Sequence, residues 1–165
     1  MARKLVRDDA IRIARPSYRL VVIIVLTAGS LYFAFQSLLS LRWHAAHDSG
    51  YLHSILYLIE RYDLVPYRDI FEPSLPLTYM FHQAIGKTVG FGELAFRIVD
   101  VAFLVALLFI TWRIMRPLGP LVAWGAILTF GLLYQSFGAH VTLQRDYLGL
   151  LLAVPAIWLA GDVRL

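Results

Sequence analysis

Asp48 and Asp146 are the residues of this chain best placed to do chemistry. Asp48 closes the segment Trp43-His44-Ala45-Ala46-His47-Asp48, and Asp146 lies in Gln144-Arg145-Asp146-Tyr147. They stand 98 residues apart, yet each adjoins one end of a long apolar run. Two carboxylates at one interface can supply a base for an incoming hydroxyl and a ligand for a cation or a phosphate. Each also has a plainer role. Asp48 can cap a helix beginning near Ser49, and Asp146 can pair with Arg145 or cap the run that follows it. Arg97 and Asp100, three residues apart, share a helical face and are expected to neutralise each other. His44, His47 and Asp48 have a spacing that a metal ion can use, but the pattern is nonspecific and no metal centre is assigned. The chain has no cysteine, which removes thiolate sites and disulfides.

The surroundings of these residues are apolar. Of 165 residues, 59% are hydrophobic and 16% charged, with a mean hydropathy of +0.67. Soluble domains carry about 25% charged residues, and disordered chains are poor in apolar ones; neither class fits. A helix needs ~20 apolar residues to cross ~30 Å of hydrocarbon. Leu20 to Leu41 is an uncharged run of 22 residues, and Leu94 to Met115 carries charge only near its ends. Pro117 to Gln144 has no charge over 28 residues, enough for a span at 118–137 and a turn at Gly138. Tyr147 to Val163 is short and crosses only where the bilayer thins or its ends snorkel. The expected fold is all-α: a polytopic membrane protein of about four spans behind a basic N-terminus, residues 1–19. The first run is too long for a cleaved signal peptide and is expected to remain as an anchor.

Lys and Arg set the orientation. Residues 1–19 hold six basic residues against Asp8 and Asp9, and the 113–120 turn adds Arg113 and Arg116. From Arg42 to Arg97 the balance is five basic against six acidic. The N-terminus is therefore expected in the cytoplasm and loop 42–93 outside, with Asp48 and Asp146 on the same outer face. The basic tail has no accompanying aromatic groove, so nucleic acid is not an expected partner.

Loop 42–93 is too long and too apolar for a plain linker. From Ser49 to Tyr62, Leu52, Ile55, Ile59 and Tyr62 recur on one helical face, opposite His53, Tyr57, Glu60 and Arg61. A second amphipathic stretch runs from Ser74 to Val89, with Leu77, Phe81, Ala84 and Ile85 as its apolar side and Thr78, His82 and Lys87 as its polar one. Both are expected to lie in the membrane interface.

The order of these features is more specific than any one of them. After the outer acid and an amphipathic helix comes Val65-Pro66-Tyr67-Arg68-Asp69-Ile70-Phe71-Glu72-Pro73-Ser74-Leu75-Pro76-Leu77-Thr78-Tyr79. A helix then ends in Val89-Gly90-Phe91-Gly92, and Glu93-Leu94-Ala95-Phe96-Arg97 opens the next span. This closely resembles the N-terminal part of the GT-C superfamily of membrane glycosyltransferases, nearest to its bacterial protein-mannosyltransferase and aminoarabinose-transferase branch. The resemblance implies a location in the bacterial inner membrane and a polyprenyl-phosphate sugar as donor, with an extracytoplasmic acceptor. By position it makes Asp48 and Asp146 the active-site acids, gives Arg145 to the donor phosphate, and brings Glu72 and Tyr79 near the site. It implies no certain cofactor, though a divalent cation is compatible with two acids. Relatives of this kind have many more spans, so the segment is expected to work with other membrane chains. Two functions remain open at the level of sequence: a sugar-transfer module incomplete by itself, and a noncatalytic subunit of a larger membrane assembly, such as an energy-transducing complex.

Overall fold

The computed structural model describes residues 16–46, 48–71 and 76–162. Helices account for most of them: α1 (Pro16–Ser40), α2 (Asp48–Tyr62), α3 (Pro76–Thr88), α4 (Glu93–Met115), α5 (Pro120–Ser136) and α6 (Arg145–Asp162). Short 3₁₀ turns at Arg116–Leu118 and Gly138–Val141 link α4 to α5 and α5 to α6. Among the described residues there is no strand, only an isolated bridge between Pro66 and Ile70 inside a turn. The all-α expectation holds. The stretches Tyr18–Ser40 and Glu93–Leu118 are long and apolar enough to cross a bilayer. At 17 residues, α5 reaches only about 26 Å, and α6 carries Pro155 in its interior.

Local chemistry fixes the helix ends. Gly90, at φ 129°, lets the chain leave α3, and Glu93 then opens α4, where a carboxylate favours the exposed N–H groups of the first turn. Gly119, at φ 118°, precedes Pro120, whose fixed φ suits a first helical position.

α4 packs against α5 and α6, and α5 packs in turn against α1. Gly131 of α5 lies directly under Phe33 of α1, where an added Cβ would come within 2.8 Å of the ring. Gly29 of α1 likewise accepts Leu128. The Trp124 indole N–H donates to Ser30 Oγ at 2.9 Å and Gln135 Nε2 donates to Ser37 Oγ at 3.0 Å, pinning the same two helices. The glycines of the third apolar run have roles within the chain. Gly125 and Gly131 face α1, and Gly119 and Gly138 supply positive φ at turns.

The C-terminal end of α1, the start of α4, the end of α5 and the turn before α6 meet at one level, so these four helices alternate in direction. At the other end Arg113 of α4 rests over the Trp158 ring of α6, 5.9 Å from its centre. The outward faces are apolar, including Leu20, Ile24, Leu31 and Phe35 on α1 and Leu152 and Ile157 on α6. Exposed apolar area of this extent belongs against lipid or another apolar surface.

The connecting segment folds as two helices, as its periodicity predicts. On α2 the buried apolar residues are Leu52, Ile55 and Leu56, while Tyr62, assigned to the apolar face, is exposed. α3 faces only partly as expected: Ile85 is buried and Phe81 packs on its cluster, but Leu77 and Ala84 are exposed. His82 and Thr78 are buried, His82 at 0% exposure, whereas Leu77 stands 72% exposed. Pairing of apolar residues with a protein core misjudges this edge of the helix because the His82 ring stacks on Phe96 inside, and Leu77 and Met80 face outward.

Candidate functional site

Arg97 and Asp100 lie one turn apart on α4, with side chains 2% and 0% exposed. They form the anticipated ion pair, Nη1 to Oδ2. The remaining capacity of both groups is taken up by other elements. Arg97 Nε and Nη2 donate to Ser40 Oγ at 3.2 and 2.6 Å. Nη1 also reaches Tyr134 Oη at 3.3 Å and Thr142 Oγ1 at 3.4 Å. The Tyr134 hydroxyl donates to Asp100 Oδ2 at 2.5 Å, and the Leu143 backbone N–H donates to Oδ1 at 2.9 Å. Trp43 covers the guanidinium, its ring centre 4.5 Å from Cζ. Buried charges are tolerated when paired and hydrogen-bonded in this way. Leu143 adopts φ 50°, a left-handed conformation that costs a non-glycine residue about 1 kcal/mol; its bond to Asp100 and its buried side chain hold it there.

One cluster therefore joins the end of α1, α4, α5 and the turn leading into α6. Beside it is a small cavity whose walls include Ser49, Arg97 and Thr142. Ser49 follows Asp48, and Thr142 precedes Asp146 by four residues, so the starts of α2 and α6 converge on the Arg97 cluster. Asp48 is the first residue of α2; Arg145 and Asp146 are the first and second of α6. Their side chains, like Glu72, lie outside the described part of the structure. Tyr79 is described and buried, packed with Leu52 and Ile55 in a separate hydrophobic cluster. Its ring stands edge-on to Tyr67 with centres 6.2 Å apart, and its hydroxyl has no hydrogen-bond partner among the described residues.

Two histidines pack on Phe96, the residue before Arg97. His82 Nδ1 donates to the Thr78 carbonyl at 2.8 Å, and its ring stacks on Phe96. Burial holds its pKa below the ordinary 6.5, against the opposing pull of its backbone neighbours. His53 packs on Phe96 with its ring centre 4.1 Å from that of the phenyl ring. Burial and then His82 push its pKa down, and Glu93 opposes them. Glu93 itself accepts the Ala45 N–H at 3.0 Å and contacts His44 Nδ1 at 2.7 Å, tying segment 44–45 to the start of α4. Among the described residues no set of three His, Asp or Glu side chains is arranged for a metal ion; His47 and the Asp48 carboxylate are outside that set.

Sequence reasoning identified the charged pair but not Ser40, Tyr134 or Thr142. These are uncharged residues that look ordinary in an apolar run. The usable signal was the pair itself, because charges at the end of a span demand further partners. No protein family, curated protein or solved structure matches this chain.

Proposed function

We propose that this chain is a four-span membrane module of the glycosyltransferase type, with its N-terminus in the cytoplasm and its reaction on the outer face of a bacterial inner membrane. The observation that supports it is the Arg97 cluster, which draws together the helix starts bearing Asp48 and Asp146. In this proposal Asp48 takes the proton of an acceptor hydroxyl as its oxygen attacks the anomeric carbon of a polyprenyl-phosphate sugar. The bond to the phosphate breaks and the lipid phosphate leaves as an anion, met by Arg145. Asp146 orients the acceptor or a cation, and Glu72 shapes the nearby wall, while Tyr79 backs α2 through Leu52 and Ile55. Water exclusion strengthens such contacts, and other membrane chains complete the enclosure.

The test is transfer of labelled sugar from polyprenyl phosphate in membranes containing the chain and its companions. Asp48→Asn and Asp146→Asn are each expected to lower the rate by at least about 100-fold, in the range of lost acid–base catalysis, with insertion and assembly unchanged. Full transfer by both variants would refute the catalytic assignment and favour a noncatalytic subunit.

A further inference from the structure

Along the His53–Tyr57–Glu60 edge of α2 runs a crevice facing the Gly90–Gly92 turn. It has two lobes, about 280 and about 530 Å³, and His53, Tyr57 and Phe91 line both. His53 also borders the small cavity that reaches Arg97 and Thr142. The volume is that of a small-molecule site, and its walls are built.

Phe91 is seated flat on α3 at Gly86, where an added Cβ would lie 2.1 Å from the ring. Tyr57 is held edge-on by Tyr62, with ring centres 6.2 Å apart. Both rings stay exposed, so two aromatic surfaces are positioned with nothing among the described residues covering them. The polar groups are equally placed. The Glu60 carboxylate is fixed by Gln83 at 2.9 Å and by Lys87 at 3.3 Å, Arg61 stands beside it, and Glu93 marks the far lobe. The lining carries Glu60 and Glu93 against Arg61 alone, with Lys87 paired to Glu60 from outside it, so the crevice has no net attraction for an anion. His53, neutral near pH 7 for the reasons given above, can both donate and accept a hydrogen bond.

Apolar ring faces between aromatic walls, with hydroxyl partners of both kinds at the edges, describe the recognition of a neutral polyhydroxylated ring. We infer that this crevice binds a saccharide unit, held between Tyr57 and Phe91 and hydrogen-bonded to His53 and Glu60. The inference rests on the proposed function only for the biological source of the sugar, which it makes part of the acceptor; the binding itself stands apart from catalysis.

The full chain in phosphatidylglycerol–phosphatidylcholine nanodiscs, labelled at histidine, provides the test. Imidazole resonances are followed while methyl glycosides of glucose, mannose, galactose and N-acetylglucosamine are added, and inorganic phosphate is added separately. The His53 signal is identified by its loss in His53→Gln. At least one glycoside is expected to shift that signal saturably, and Tyr57→Ala or Phe91→Ala to weaken binding about tenfold or more, as removal of an aromatic anchor does. The inference is overturned if no glycoside moves His53, if binding is unchanged in both aromatic variants, or if phosphate binds more tightly than every glycoside. The wild-type titrations decide even where an aromatic variant fails to fold. Glycoside binding retained by Asp48→Asn with no transfer activity in any sample would remove the transferase and leave the crevice. Transfer without glycoside binding would do the reverse.

Discussion

Asp100 answers to Arg97, Tyr134 and the Leu143 N–H at once, and this concentration of partners decides how the outer end of the bundle responds to change. Removing one member of a buried ion pair leaves the other uncompensated, at a cost of about 3–5 kcal/mol. Asp100→Leu and Arg97→Leu are each expected to lower resistance to denaturation by that order. The double variant should lose less than the sum of the two, because no lone charge remains; a double-mutant cycle measured in detergent checks this. Strict additivity would mean that the pair is not coupled. His82 makes a different prediction. Its folded pKa lies below the ordinary 6.5 because burial disfavours the cation, so below about pH 6.5 the unfolded chain binds more protons than the folded one. Stability is full above pH 6.5 and falls as the pH drops from there through the folded pKa. His82→Gln is expected to flatten that part of the thermal-midpoint profile, and an unchanged slope would assign the loss to other groups.

At the scale of helices, the existence and approximate limits of every element were legible because apolar run length and 3.6-residue periodicity are local properties. The run expected at 94–115 is the helix Glu93–Met115, and the stretch expected from Ser49 is Asp48–Tyr62. Which way a helix faces is not local. α3 buries Thr78 and His82 and exposes Leu77, because its inner contacts come from Phe96 and its own Thr78 carbonyl. The cluster about Arg97 was half visible for the same reason: i,i+3 spacing reveals Asp100, while Ser40 and Thr142 reach it from 57 and 45 residues away. The glycines of α5 also change meaning with context. Gly131 admits Phe33, so Gly131→Leu is expected to separate α1 from α5 and destabilise the chain by about 1–3 kcal/mol, the usual cost of overpacking. Gly119→Leu leaves that contact intact but strains a φ of 118°. Crosslinking between cysteines placed at residues 26 and 125, where α1 and α5 face each other, should therefore drop for the Gly131 variant alone.

For the whole molecule, the alternation of α1, α4, α5 and α6 carries a topological consequence. Ser40, Arg97, Tyr134 and Thr142 lie in one hydrogen-bonded cluster, so the end of α1, the start of α4, the end of α5 and the turn before α6 are at one depth. Arg113 is 16 residues further along α4, about 24 Å away, close to the ~30 Å of a bilayer's hydrocarbon. If the helices cross a membrane, the Arg97 level and the Arg116–Leu118 turn must be on opposite sides. In the orientation proposed above, which rests on the basic residues of 1–19 and on Arg113 and Arg116, the second of these faces the cytoplasm. A chain without cysteine makes the check direct. Single cysteines at Ser54 and Val89 should react with an impermeant maleimide in intact cells, whereas cysteines at Ala2 and Leu118 should react only after permeabilisation. Labelling of residues 54 and 118 from the same side would be incompatible with an alternating transmembrane bundle. It would also remove the shared outer face on which any joint action of Asp48 and Asp146 depends.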